Sequence, residues 1–201
     1  GGAKIGTKLQ LIDQFLDKAD IIIIGGGMAF TFLKAEGKNI GGSLVDESMI
    51  SVSKQIMNKA RMKNVKILLP IDAICARTIN DQEKKIQCSI NNIPEDMMAL
   101  DIGPESISKF KSVISNVKTI LWNGPMGVFE MSSFQKGTQS IANAICSSTA
   151  SGSFSLIGGG DSVAAIKKFG METKVSYIST GGGAMLEYLE GKDLPGIKAI
   201  L

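Results

Sequence analysis

The chain has 201 residues, of which 44% are apolar, and a net charge of +3 from 22 basic and 19 acidic side chains. This length can bury a large core, and so mild a charge argues against a nucleic-acid-binding or membrane-surface protein. The sequence has no histidine, which excludes histidine-ligated zinc and nucleophile systems of the Ser-His-Asp or Cys-His type.

The numbers of arginines and cysteines further limit the kinds of binding site and the class of protein. Only Arg61 and Arg77 are arginines, so this chain alone cannot build an arginine cluster for bidentate binding of phosphate or carboxylate. Cys75, Cys88 and Cys146 lie far apart in apolar surroundings and predict buried, reduced thiols of a cytoplasmic protein. We expect neither a signal peptide nor a transmembrane segment, because no apolar run is long enough.

The apolar pattern predicts alternating helices and strands along the chain. The predicted strands are 21–24, 66–69, 71–77, 100–102, 118–122, 154–157 and 174–178. The predicted helices are 8–16, 28–35, 46–62, 105–114, 134–148, 161–168 and 184–190. The polar segment 78–92 alternates weakly and is predicted to form short strands or a loop.

The first residues are a glycine pair that leads into a helical pattern. Such a pair usually follows a strand, so we expect the protein to extend N-terminally and this chain to be a fragment. Lys4 and Lys8 are four residues apart and would share one face of the first helix if it starts this early. That pair could bind an anion or could simply be solvated.

Glycine-rich turns follow several predicted strands, at 25–27, 158–160 and 181–183, and an Asn-Gly-Pro turn begins at Asn123. Strands alternating with helices predict an open α/β fold, a doubly wound, mostly parallel sheet with helices on both faces in a Rossmann-like three-layer arrangement. Ligands of such sheets bind outside the carboxyl ends of the strands. The glycine turns should therefore share one edge with Asn123 and with the N-terminal Gly-Gly-Ala-Lys.

The stretch 154–169 is the centre of the predicted site. Glycines allow close approach of a ligand, and the N-terminus of the following helix favours an anion. Asp161 adds a carboxylate at the same place, which suits a Mg²⁺ ion bound between it and substrate phosphates. The alternative is that Asp161 and Ser162 merely cap a helix.

The Rossmann and P-loop fingerprints are both missing. Asn123 could equally be a turn former, and Glu130 a surface residue.

Seven segments resemble the C-terminal, nucleotide-binding domain of the phosphoglycerate kinase family, in that family's order. They are GGAKIGTK, IIIIGGGMAFTFLKAEG, LPIDAICA, LDIGPES, LWNGPMGVFE, GGGDS and STGGGAMLEYLEGKDLPG. The resemblance covers the whole chain, so residues 1–201 would be one nucleotide-binding domain, without the family's N-terminal phosphoglycerate-binding domain.

The resemblance implies reversible phosphoryl transfer from 1,3-bisphosphoglycerate to Mg-ADP, giving 3-phosphoglycerate and Mg-ATP. Lys4 would contact the transferring phosphoryl group, together with the backbone of Gly181, Gly182 and Gly183, and Asp161 would hold Mg²⁺. The remaining residues implied to bind the nucleotide are Lys8, Gly25, Gly26, Leu100, Asn123, Pro125, Gly127, Glu130, Gly159, Gly160 and Ser162.

Two residues depart from the family pattern. Tyr177 stands where histidine is common near the hinge, and Met185 where serine is frequent. Because the family's basic phosphoglycerate site lies on its N-terminal domain, we expect this chain to bind nucleotide without turning over. We also expect a cytoplasmic monomer that binds neither nucleic acid nor membrane. The alternatives are a non-catalytic adenine-nucleotide-binding module, a structural α/β domain and an NAD dehydrogenase. The presence of Lys4 and Asp161 favours the kinase.

Overall fold

A computed structural model describes residues 1–6 and 8–199 of the chain. Its strands are β1 Ile21–Ile23, β2 Lys66–Leu68, β3 Asp72–Ala76, β4 Ile86–Ser89, β5 Met98–Ile102, β6 Thr119–Asn123, β7 Phe154–Gly158 and β8 Tyr177–Ser179. Its helices are α1 Leu9–Phe15, α2 Met28–Ala35, α3 Ile50–Met62, α4 Pro104–Ile114, α5 Lys136–Ala150, α6 Gly160–Lys168, α7 Gly182–Leu189 and α8 Pro195–Lys198.

The strands form three hydrogen-bonded groups. β1 pairs with β2, and β6, β7 and β8 lie side by side, all in parallel. β3 pairs antiparallel with β4 and β5 on its two sides. The prediction of an α/β fold with mostly parallel strands flanked by helices is confirmed. The antiparallel group was not predicted as such, since its strand β4 lies in the segment that the sequence left as short strands or loop.

Helices cover the parallel strands with two separate apolar cores. One core includes Leu9, Phe32 and Met57, from α1, α2 and α3. The other includes Phe110 of α4 and Ile166 of α6. Burying these side chains stabilises the fold by roughly 1.5–3 kcal/mol each. Ile56 and Met57 of α3 and Ile141 and Ile145 of α5 are buried, and so are all three cysteines, which are free thiols as predicted.

The start of the first helix differs from the prediction. Lys8 donates its N–H to the Ile5 carbonyl within a turn (2.8 Å), and α1 begins only at Leu9. The condition under which Lys4 and Lys8 would share a face of this helix is therefore not met, because both residues precede it.

Two helices begin against a carboxylate that comes from another element. Buried Asp72 accepts from the backbone N–H groups of Glu105 (3.0 Å) and Ser106 (2.7 Å) at the start of α4. Buried Asp101 accepts from the N–H of Gly137 (2.6 Å) at the start of α5. Such contacts satisfy N–H groups that the helix itself leaves unpaired.

Within the described residues, no helix is long and apolar enough to cross a lipid bilayer.

Candidate functional site

The carboxyl ends of β6, β7 and β8 lie at the same level. Asn123 pairs in register with Gly158, and Gly158 pairs with Ser179. The glycine turns that follow β7 and β8 touch directly, because a Cβ on Gly182 would lie 2.8 Å from the Cα of Gly159. The structure therefore brings the 158–160 and 181–183 turns together at one edge, as predicted.

Asn123 ties the ends of two strands together. Its Nδ2 donates to the Gly158 carbonyl (2.8 Å), and a Cβ on Gly159 would lie 2.5 Å from that nitrogen. Among the described residues its buried Oδ1 has no hydrogen-bond partner. The resemblance implies that Asn123 binds the nucleotide, and this role stays a prediction; in the structure its amide nitrogen is engaged by the Gly158 carbonyl.

Ser162 and Asp161 lie in the first turn of α6 and differ in exposure. The buried Ser162 hydroxyl accepts from the N–H of Gly124 (2.5 Å) and joins α6 to the turn after β6. Asp161 is exposed. Neither side chain caps α6: its N-cap is Gly159, with φ +89°, and no side chain bonds there. The simple cap interpretation of Asp161 and Ser162 is thus wrong.

Lys8 lies close enough to Asp161 for their charges to interact. Burial lowers the pKa of Lys8, and the Asp161 carboxylate acts in the opposite direction by favouring the charged ammonium. The Lys8 Nζ donates to the Gly1 carbonyl (2.5 Å), and a Cβ on Gly124 would lie 2.8 Å from that Nζ. A cation and an anion thus flank the turn after β6.

The N-terminal segment and the turn after β1 are interlocked with the turn after β6. The N–H of Gly2 donates to the Pro125 carbonyl (2.8 Å), and that of Gly26 donates to the Met126 carbonyl (3.1 Å). Met28 at the start of α2 donates to the Gly2 carbonyl (2.9 Å). Gly26 has φ +67°, and a Cβ on it would lie 2.8 Å from the Pro125 oxygen. Glycine is required there by both conformation and space.

The other predicted glycines fall into two kinds. Gly25 packs against Met126 and Gly127 packs against Asp101, so a side chain on either would collide with its neighbour. A Cβ added to Gly160, Gly181 or Gly183 would meet no neighbouring atom within 4 Å. These three glycines leave the N-terminal ends of α6 and α7 accessible, where backbone N–H groups attract anions.

A cavity of about 580 Å³ lies beside the N-terminal segment. Its lining includes Ala3, Lys4, Gly27, Thr31 and Leu44. Leu44 was not among the residues predicted from the sequence, where the available signal was an apolar residue shortly after Gly41-Gly42. In the structure Leu44 is 55% exposed. A smaller cavity of about 320 Å³ lies between α2, α3 and β2 and includes none of the glycine turns.

Leu100 and Glu130 lie around the turn after β6 in different ways. Leu100 is buried with Ala76 and Phe134, and its carbonyl accepts from the N–H of Val128 (2.8 Å). Glu130 is exposed. Lys168 of α6 donates to the backbone carbonyl of Glu130 (2.9 Å) and to that of the preceding residue.

The described residues contain no group of three or more His, Cys, Asp or Glu side chains that could hold a metal ion by itself. Asp161 is a single exposed carboxylate beside two helix N-termini. This donor set fits Mg²⁺, which is typically bound by one or two carboxylates together with substrate phosphates and water.

Comparisons with known proteins agree on one family. A family model described as phosphoglycerate kinase matches residues 1–192. Curated phosphoglycerate kinases of Thermosipho africanus and Prosthecochloris aestuarii are 51% and 50% identical to this chain over 201 and 200 residues. Both alignments cover 100% of this chain and 50% of the relative. The chain thus spans about half the length of the curated relatives it matches.

Solved structures give the same result. The phosphoglycerate kinase of Coxiella burnetii matches with a TM-score of 0.93 at 42% identity, covering 98% of this chain and 50% of that one. The enzyme of Pyrococcus horikoshii matches with a TM-score of 0.77 at 29% identity, covering 99% of this chain and 50% of that one. The family model, the curated relatives and the solved structures together show that this chain belongs to the phosphoglycerate kinase family.

Proposed function

We propose that residues 1–201 form the nucleotide-binding half of a phosphoglycerate kinase. The complete protein would transfer a phosphoryl group reversibly between 1,3-bisphosphoglycerate and Mg-ADP, and its other half would bind the phosphoglycerate. The supporting observation is that the ends of β6, β7 and β8 lie in register and two helix N-termini open at that edge. We further propose that the protein is a cytoplasmic monomer without nucleic-acid or membrane partners.

The proposed roles follow from charge and exposure. The exposed Asp161 would hold Mg²⁺, which supplies positive charge to the phosphates when bound. Lys8 would bind phosphate oxygens, since its burial strengthens any charge pairing that it makes. The N–H groups of Gly181, Gly182 and Gly183 would face the transferring group. Lys4, at the cavity of about 580 Å³, would contact the same group.

Such groups are sufficient for the chemistry. Phosphoryl transfer develops negative charge on the equatorial oxygens, so catalysis depends on positioning and on electrostatic stabilisation. No histidine is needed for this, which agrees with a sequence that has none. In this proposal the glycine turns after β1 and β6 would wall the nucleotide, with Gly26 and Pro125 fixed by backbone hydrogen bonds and Gly25 and Gly127 by close packing.

Calorimetric titration of Mg-ADP into the purified chain tests this proposal. We expect saturable binding that weakens about ten- to hundredfold in Lys8→Met and Asp161→Asn, because each loses a charged contact of roughly 1.5–3 kcal/mol. Glu105→Gln is the matched control for Asp161, because Glu105 is also an exposed acid in the first turn of a helix. Lys109→Met, a half-buried lysine at the smaller cavity, is the control for Lys8.

Titration of ADP with and without Mg²⁺ separates the two roles. Asp161→Asn should reduce the gain that Mg²⁺ gives to ADP binding, whereas Lys8→Met should weaken ADP with or without the ion. Controls that weaken binding as much as the site variants would contradict the proposal. So would the absence of binding by a chain that unfolds cooperatively, or coupled turnover by this chain alone.

A further inference from the structure

Asp101 is a buried carboxylate, 4% exposed, at the end of β5. One oxygen accepts from the N–H of Gly137 (2.6 Å) and the other from the N–H of Ile102 (2.9 Å). The residue before α5, Gln135, makes no side-chain cap bond. Asp101 therefore accepts the capping hydrogen bond from the first turn of α5 that the residue before the helix does not accept. This bond fixes the start of α5 against β5.

The turn at 124–128 lies between these two elements. The N–H of Met126 donates to the Thr138 hydroxyl in the first turn of α5 (3.0 Å). The N–H of Val128 donates to the carbonyl of Leu100, the residue before Asp101 (2.8 Å). Gly127 fits against Asp101 so closely that a Cβ on it would lie 2.7 Å from the Asp101 Cα. The position of the turn thus depends on how α5 sits on β5.

The other side of this turn holds the proposed nucleotide site together. Gly124 donates to the Ser162 hydroxyl, Pro125 accepts from Gly2, and Met126 accepts from Gly26. Three separate segments are therefore aligned by one turn: the start of α6, the N-terminal segment and the turn after β1.

We propose that Asp101 is a positioning residue for the Mg-nucleotide site, acting through α5 and the 124–128 turn rather than by contact with the ligand. This inference rests on the proposed function. If the carboxylate is removed, the N–H of Gly137 loses its acceptor and the first turn of α5 is released. The Thr138 hydroxyl and the 124–128 turn that it binds then shift. The three segments that this turn aligns are no longer held in the same relative position.

Asp72 provides a matched comparison. It is also buried, and it also accepts from backbone N–H groups in the first turn of a helix that it does not belong to. Its helix, α4, makes none of the hydrogen bonds to the 124–128 turn described above. Removing Asp72 should therefore destabilise the fold without moving the proposed site.

Trp122 supplies a readout that needs no ligand. It is the sole tryptophan of the chain, it is buried, and its Nε1 donates to the Gly124 carbonyl (2.8 Å). Its emission in the folded protein therefore reports the geometry of the turn.

The experiment compares Asp101→Ala, Asp101→Asn and Asp72→Ala in the 201-residue chain, at a temperature where each is folded. Asp101→Ala should red-shift the Trp122 emission and weaken Mg-ADP binding by about tenfold, the order found when an outer partner of a ligand-holding group is removed. Asp101→Asn keeps one acceptor oxygen and should restore much of both. Asp72→Ala should lower the unfolding temperature and leave both readouts unchanged.

A second variant covers the case in which Asp101→Ala does not fold. Thr138→Val removes the acceptor of the Met126 N–H and leaves the Asp101 contact in place, and it should produce the same red shift and weaker binding. Equal effects of the Asp101 and Asp72 variants would overturn the inference, as would unchanged Trp122 emission in both Asp101→Ala and Thr138→Val. If the unmodified chain binds no Mg-ADP, the proposed function fails, and the emission data still decide whether Asp101 sets the turn.

Discussion

The free energy of unfolding should depend on pH through the titration of Asp101. Burial raises the pKa of this carboxyl to about 7, although the N–H groups of Gly137 and Ile102 and the nearby Lys85 act to lower it. In the unfolded chain the same group titrates near 3.8. The folded protein therefore binds a proton between these two values that the unfolded chain does not.

The sign and size of the effect follow from linkage. Because the folded pKa is raised, this contribution to stability is fully present below pH 3.8 and is lost as the pH rises through about 7. Between about pH 5 and pH 7 the loss amounts to roughly 2 kcal/mol, at 1.36 kcal/mol per pH unit for one proton. For a chain of this size, that is a fall of about 4–8 °C in the unfolding temperature.

Asp101→Asn is the comparison that isolates this proton. Urea unfolding of both proteins at several pH values across this window, followed by Trp122 fluorescence, gives the difference in their pH slopes. The chain has no histidine to titrate in the window, and the Gly1 amino group, whose pKa burial lowers, is common to both proteins and cancels. The unmodified chain should lose stability as the pH rises, relative to Asp101→Asn. Parallel pH profiles would refute the reasoning, because they would mean that Asp101 titrates alike in the folded and unfolded chains.

Two further predictions concern the glycine edge. Gly159→Ala should destabilise the chain more than Gly170→Ala in urea unfolding. Gly159, with φ +89° and ψ 142°, has a backbone conformation that is essentially restricted to glycine, and a methyl group there would also meet the Asn123 amide. Gly170, with φ +64° and no atom within 4 Å of an added Cβ, carries only the positive-φ cost of about 1–2 kcal/mol. Equal losses would mean that neither the backbone conformation of Gly159 nor its contact with Asn123 adds to that cost. Met185→Ala should increase hydrogen exchange in α7 with little change in the unfolding temperature, because α7 has no buried residue and the Met185 sulfur packs over Gly158. Unchanged exchange would mean that other contacts hold α7.

Much of the fold was predictable because local patterns decide it. The apolar spacing gave α2 with its observed bounds of Met28–Ala35 and placed the other major helices within a few residues. The antiparallel group was not predictable in this way, because the pairing of β3 with β4 and β5 depends on distant partners. The start of α1 was placed one residue too early, because the apolar spacing of Leu9, Ile12 and Leu16 indicates a helix but does not show that Lys8 is the residue before it.

The site was predictable as an edge but not as a set of contacts. The rule that parallel strands end together was enough to gather Asn123, Gly158 and the last glycine turn. It could not show that the Asn123 amide bonds to the Gly158 carbonyl or that Ser162 receives the Gly124 N–H. Those bonds join segments far apart in sequence, so no local pattern contains them. For the same reason the sequence shows Asp72 and Asp101 only as acidic residues within predicted strands.

Several of the contacts that shape this edge join backbone atoms on both sides. Gly2 donates to the Pro125 carbonyl and Gly26 to the Met126 carbonyl, so replacing a neighbouring side chain leaves those donors and acceptors in place. What a side chain can change is the alignment of the segments that carry them. We therefore expect a residue that fixes this alignment, such as Asp101 packed against Gly127 of the 124–128 turn, to influence the proposed site without touching the ligand.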